Sequence, residues 1–216
     1  SKGALDITKQ RLALVSCHKI PVVRTIPKEE DLWSHIAEQA SRGQLDLIVH
    51  MGDQIYADHY PESPLDRVER LCGGEPCSVS ELKLRFWDIV ELYREVYRAS
   101  WAHPSLAYAM ANTPNIMIWD DHSIMDDWGD KQHHRNAASV QETAERVVGQ
   151  AGRQALYEYQ RALREDVPTS DEQLPGEKAV RFDQIQDEHF FHSLNGGNIG
   201  VLALDTRGGR SFHARG

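Results

Sequence analysis

Four short apolar runs, rich in leucine or β-branched residues, recur along the chain, and each stops abruptly at a cluster of polar residues. They occupy residues 12–15, 45–49, 115–119 and 199–204. Runs of four to six residues with little polar alternation fit strands buried on both faces better than helices. Between them lie stretches with helical spacing. Residues 29–40 carry Leu32, Ile36 and Ala40 four apart, and residues 80–100 carry Leu84, Trp87, Val90, Leu92 and Val96. Residues 143–163 are rich in Ala, Gln and Arg. Strands alternating with helices predict an α/β domain with a largely parallel sheet.

A separate signal precedes the last strand. Asn195-Gly196-Gly197 separates two apolar runs and supplies the positive-φ residues of a hairpin turn, so the last strand is expected to pair antiparallel with residues before it. Parallel and antiparallel pairing together predict mixed β-sheets flanked by helices. Residues 166–178, with Pro168, Pro175 and Gly176, read as a surface loop. Trp87, Tyr93, Tyr97 and Trp101 recur at helical spacing and fit core packing.

Composition narrows the function classes. A chain of 216 residues, 40% hydrophobic and 26% charged, has the make-up of one globular domain, with or without an appendage. Lys and Arg number 24 against 33 Asp and Glu, a net charge of −9, and no nucleic-acid-binding face is evident from that balance. No apolar run approaches the roughly 20 residues of a membrane helix. Ser1-Lys2-Gly3 opens no secretory segment, and the missing Met points to processing or an excised piece. Localisation stays open. Cys17, Cys72 and Cys77 form no framework; Cys72 and Cys77 could pair across Gly73–Pro76 in an oxidising compartment, but ordinary thiols are the favoured reading, ahead of zinc ligation.

The polar clusters at the strand ends carry the chemistry. The first strand ends in Ser16-Cys17-His18 and the second in His50-Met51-Gly52-Asp53-Gln54-Ile55-Tyr56-Ala57-Asp58. The third ends in Asp120-Asp121-His122, and the fourth in Asp205-Thr206-Arg207. Ligands of open α/β sheets bind beyond the carboxyl ends of the strands, so these edges are expected to converge on one crevice. A thiolate and a phenolate suit trivalent iron, whereas grouped carboxylates suit Ca²⁺ or Mg²⁺. A mixed multi-metal site is the expectation, with Asp53 bridging and Arg207 or Arg210 capping a phosphate.

Each of these residues also has a plainer reading. A single Gly-Asp after a strand is commonly a turn, and a single Cys a small buried hydrophobe. His18, His133 and His134 are expected at the surface, and His189 and His192 to alternate on hairpin faces. Asp126, Asp127 and Asp130 are expected in a solvated loop. The coincidence of ligands at four strand ends outweighs the separate plain readings.

At these residues the chain resembles the PhoD-like (alkaline phosphatase D) family of the metallophosphatase superfamily. The motifs are Ser16-Cys17, Gly52-Asp53-Gln54-Ile55-Tyr56-Ala57-Asp58, Trp119-Asp120-Asp121-His122 with Asp127-Trp128-Gly129, and Leu204-Asp205-Thr206-Arg207. The resemblance implies a metallophosphatase-like α/β/β/α sandwich covering residues 1–216. It implies Fe³⁺ on Cys17, Asp53 and Tyr56, and one or two Ca²⁺ ions, or other divalent metals, on Asp53 and Asp121, with Asp205 among the metal ligands. His122 and Arg207 would be catalytic, His122 as proton donor or transition-state stabiliser facing the phosphate. The reaction implied is hydrolysis of small-molecule phosphomonoesters or phosphodiesters by a metal-bound hydroxide.

The chain departs from the family pattern at Ser123, where an acidic residue is common, and at Asp126-Asp127, where Asn is frequent. It also lacks the later Gly-Asp-x-His segment, since Gly129-Asp130-Lys131-Gln132 is not one. The resemblance therefore predicts an N-terminal part of a larger catalytic domain. The alternative is a non-catalytic Ca²⁺- or phosphate-binding relative with an incomplete site.

Overall fold

The computed structural model describes residues 10–19, 27, 30–59, 61–130, 144–163, 190–194 and 199–208. Five strands run as β1 (Leu12–Val15), β2 (Leu47–Met51), β3 (Asn115–Ile118), β4 (Phe190–Leu194) and β5 (Ile199–Ala203). The helices are α1 (Leu32–Ser41), α2 (Pro64–Leu71), α3 (Val79–Leu84), α4 (Phe86–Trp101), α5 (Pro104–Asn112) and α6 (Ala144–Tyr159). Single 3₁₀ turns cover Ala57–His59 and Asp121–Ser123, immediately after the loops that leave β2 and β3.

β1, β2 and β3 form a parallel sheet with β2 in the centre, Leu12 opposite Leu47 and Ile48 opposite Asn115. Alternation then sends successive β2 residues to opposite faces. Leu47 and Val49 join Ile116 in a cluster against which Val201 of β5 packs. Ile48 points the other way, into a cluster with Trp33 of α1 and Leu106 and Ala109 of α5. The central strand thus lies between α1 and α5 on one face and β5 on the other, which explains why the β2 run is apolar on both faces, while Leu12 and Leu14 of the edge strand β1 stay exposed. The hairpin is antiparallel, with Leu194 opposite Ile199, as the Asn-Gly-Gly signal implied. Among the described residues it forms a second sheet, so the two kinds of pairing occur in separate sheets that face each other.

Local chemistry fixes the helix ends. Asp31 caps α1 by accepting from the N–H groups of Trp33 and Ser34 at 3.0 and 3.1 Å. Ser78 and Glu81 form a reciprocal capping box at α3, and Pro104 opens α5 where its missing N–H costs nothing. The segment expected as one helix over 80–100 is two helices, because Arg85 leaves helical geometry at φ −102° and ψ 17°. β2 lies two residues beyond the expected run, since the carboxylate of Asp46 turns back to accept from the N–H of Arg11 at 2.8 Å.

The largest core cluster joins α4 and α6 to the loops after β2 and β3. Ile89, Tyr93, Val96 and Tyr97 of α4 pack with Val147, Val148, Ala151 and Ala155 of α6, and Ile55, Trp119, Ile124 and Trp128 enter from the loops. Tyr93 and Tyr97 are fully buried, and Trp87 and Trp101 pack against the same cluster, as the spacing implied. Gly149 makes the fit possible: a β-carbon there would lie 1.9 Å from the Trp128 ring. Each large apolar side chain so buried contributes roughly 1.5–3 kcal/mol, and here that burial anchors the loops carrying the polar residues.

Two further expectations are corrected by the structure. Cys72 and Cys77 are joined as a disulfide across the turn between α2 and α3, with Cα atoms 5.6 Å apart, not left as thiols. His18 is not a surface residue: its ring packs edge-on to Trp33 at 5.1 Å and lies 6.0 Å from His50. His133, His134, His189, Arg210, the 166–178 loop and the Asn195-Gly196-Gly197 turn lie outside the described residues.

Candidate active site

The carboxyl ends of the three parallel strands deliver their polar residues to one place, as sheet topology requires. The chain leaving β1 turns at Cys17, whose N–H donates to the Gly52 carbonyl at 3.1 Å, so the turns after β1 and β2 are tied together. The Cys17 thiol then lies 3.6 Å from Asp53 Oδ2. Gly52 has φ +111°, and a β-carbon there would come within 2.8 Å of Asp120 Cβ, so the turns after β2 and β3 touch through a residue with no side chain.

Backbone strain gathers at the same place. Cys17, Asp53 and Asp127 have φ of 53°, 54° and 59°, and they are the left-handed non-glycine residues found among the described residues. Such conformations cost of order 1–3 kcal/mol and persist only where surroundings enforce them.

Asp53 and Asp121 are buried, at 5% and 7% exposure. With His122 they offer three ligand atoms within 4.8 Å of one another. Asp53 Oδ1 is buried without a hydrogen-bond partner among the described residues. Burial and the nearby Asp120 push the Asp53 carboxyl above the usual carboxylate range, with Asp121 adding to the shift and His122 opposing it. The Tyr56 phenol is pushed up as well, by burial first and then by Asp53 and Cys17. Carboxylates crowded together with an orphaned oxygen, a thiol and a phenol fit a bound cation, which would reverse both shifts.

His122 is held from two sides. Both oxygens of Asp58 stand 2.9 Å from His122 Nδ1, and Tyr56 lies against the ring with centroids 4.3 Å apart. Burial works against the charged imidazole, but Asp58, Asp53 and Asp121 outweigh it and hold its pKa above the ordinary value. Asp58 is fixed in turn by accepting from the Asp126 N–H at 3.1 Å. Asp121 accepts from the Asp127 N–H at 2.8 Å, which places the strained Asp127 against a candidate ligand. The side chains of Asp126, Asp127 and Asp130 face water, as expected of that run, while Trp128 between them is buried.

Arg207 arrives from the turn after β5. Its guanidinium donates to Asp120 through Nε, meets Asp121 at 3.2 Å and Asp130 at 3.3 Å, and donates to the Trp128 carbonyl at 3.2 Å. Asp205 is buried and shapes that turn, its Oδ1 accepting from the N–H groups of Arg207 and Gly208 at 2.9 and 2.7 Å. Cys17, Asp53, Tyr56, Asp121 and His122 are therefore brought together, with Arg207 at the edge. Asp205 stands apart from the three groupings of ligand atoms found among the described residues.

Sequence reasoning assigns no role to Asp58 or Asp120. Asp58 stands two residues past Tyr56 in the motif it closes, and that position is the available signal. No sequence signal marks Asp120 as the anchor of Arg207, because the two are 87 residues apart. A second deep polar contact likewise needs the fold: Gln160 donates to Tyr97 Oη at 3.0 Å and to Gln54 Oε1 at 3.3 Å, while Gln54 donates to the Ile118 carbonyl at 2.8 Å.

The chain matches the PhoD-like phosphatase family over residues 12–215. Among solved structures it resembles one of PhoD, with a TM-score of 0.50 and 21% identity, over 94% of this chain and 32% of that one. It spans about a third of the PhoD chain, and the likeness is one of fold. No curated protein matches it. The family match extends from β1 to beyond Arg207, through every strand end that supplies the site, and on that ground the chain belongs to the PhoD-like phosphatases.

Proposed function

We propose that the protein is a metal-dependent phosphoesterase acting on small-molecule phosphomonoesters or phosphodiesters. The observation that carries this reading is the buried Asp53 Oδ1, without a hydrogen-bond partner among the described residues, beside Asp121 and a carboxylate-held His122, at the carboxyl ends of parallel strands. Cys17, Asp53, Tyr56 and Asp121 would hold the cations, while Asp205 shapes the turn that brings Arg207 to the site. The thiol and phenol favour Fe³⁺ and the carboxylates Ca²⁺. When bound, such cations polarise a phosphoryl oxygen and acidify an attacking water.

The chain's own residues do the rest. The Asp58 carboxylate keeps the His122 proton at Nδ1, so Nε2 is the nitrogen that exchanges a proton with the leaving oxygen. Arg207 steadies Asp120 and Asp121, and its remaining donor capacity is available to a phosphoryl oxygen.

The test is hydrolysis of 4-nitrophenyl phosphate and bis(4-nitrophenyl) phosphate by the protein loaded with iron and calcium, with Asp53→Asn as control. Turnover lost in the variant supports the reading. Cation binding without turnover of either ester would sink it and leave a non-catalytic relative.

A further inference from the structure

Lys19 is a cation beside Tyr56 that neither the motifs nor the ligand groupings include. It sits two residues beyond Cys17, on a turn closed by its own N–H donating to the Cys17 carbonyl at 3.2 Å. That turn starts from the left-handed Cys17. The Lys19 ammonium stands 5.8 Å from the centre of the Tyr56 ring, and the same ring lies against His122. The residue is exposed, and among the described residues its ammonium contacts this aromatic face without a carboxylate partner.

Arg207 differs in each of these respects. It is mostly buried, and most of its guanidinium donors are taken up by Asp120, Asp121, Asp130 and the Trp128 carbonyl. An arginine so engaged neutralises the protein's own charge before it meets a ligand. A lysine on a flexible stem, set over an aromatic face, can move a few ångströms to a phosphoryl oxygen.

Resting on the phosphoesterase reading, we propose that Lys19 binds the non-bridging oxygens of the substrate phosphate and biases the site toward dianionic monoesters over monoanionic diesters. The juxtaposition of an ammonium that meets no carboxylate among the described residues with the Tyr56–His122 pair carries it. A charge-assisted hydrogen bond strengthens with the charge of its acceptor, so losing it penalises the dianion more.

The experiment compares wild type, Lys19→Met and Lys19→Arg, each loaded with iron and calcium. Kinetics are measured on 4-nitrophenyl phosphate and bis(4-nitrophenyl) phosphate, and inorganic phosphate binding is measured by calorimetry. In Lys19→Met, KM for the monoester and the phosphate Kd should both rise about tenfold, with kcat little changed and the diester affected less than about threefold. Lys19→Arg should recover most of the loss. Equal losses on both esters, unchanged phosphate affinity in Lys19→Met, or no phosphate binding by wild type would overturn the assignment. Wild type that binds phosphate through Lys19 yet turns over neither ester would overturn the phosphoesterase reading and leave Lys19 as an anion-binding residue.

Discussion

Both carboxylate oxygens of Asp58 stand 2.9 Å from His122 Nδ1, although 64 residues separate the two in sequence. The contact fixes which ring nitrogen carries the proton and how the ring faces Asp53 and Asp121. Replacing Asp58 with Ala should lower kcat on the metal-loaded protein by about ten- to a hundredfold, while Asp58→Asn, which keeps one acceptor, should lose less. A wider gap for an alkyl phosphate than for 4-nitrophenyl phosphate is expected, because the poorer leaving group needs the proton more. Equal losses on both esters would count against the role.

Asp53→Asn separates the two states of the site. Without cations, the exchange removes a carboxylate that Asp120 and Asp121 oppose, so the variant should melt at or above the wild-type temperature. With calcium or iron added, wild type should gain stability, about 2.7 kcal/mol at a hundredfold excess over Kd, and the variant little or none. Thermal melts with and without chelator measure both. Equal cation response in the two proteins would remove Asp53 from the ligand set.

Gly52→Ala places a methyl against Asp120 at a φ of +111°. The expected loss is roughly 2 kcal/mol, or about 5 °C in melting temperature for a chain of this size. Cation affinity should fall with it, since Gly52 binds the turn of Cys17 and abuts that of Asp120.

Acid should weaken the fold through two rings. Burial lowers the pKa of His50 from 6.5 to about 4, and burial together with His50 does the same to His18. Between pH 6.5 and 4 the unfolded chain takes up protons on these residues that the folded chain does not, so stability falls as pH drops through that window and levels off below it. His50, almost wholly buried, accounts for at most about 3 kcal/mol of this. Urea midpoints from pH 7 to 4 measure the effect, and His50→Gln should flatten the curve. An unaltered slope in that variant would place the acid sensitivity elsewhere.

Much of this arrangement is legible in the amino-acid sequence. The run 12–15 coincides with β1 because polar residues bound it on both sides, and the ligand-bearing strand ends converge because a parallel sheet puts successive carboxyl ends on one edge. α2 and α5 are not foreseeable in the same way. α2 is eight residues long, and its narrow apolar stripe, Val68 and Leu71, is set among charged neighbours, while α5 is a nine-residue helix whose Leu106 and Ala109 find their place only against α1 and the sheet. The break at Arg85 is hidden because apolar spacing continues across it. The clamp of Arg207 on Asp120 and the fit of Trp128 over Gly149 depend on tertiary contact between distant segments, which no local pattern encodes. The disulfide competes with free thiols until α2 and α3 place Cys72 and Cys77 across a turn.

The three left-handed residues have a consequence for how this chain can vary. Cys17, Asp53 and Asp127 hold a backbone conformation that glycine would adopt with less strain, yet two of them are candidate ligands and the third buttresses Asp121. At these positions selection for a durable fold and selection for a working site pull apart. A library screened for thermal resistance alone should accumulate Gly or Asn at Cys17 and Asp127, while one screened on cation binding should retain Cys17 and Asp53. Divergence between the two libraries at these positions, and agreement at Tyr93 or Ile89 in the core, would map the site from sequence counts without a ligand in hand.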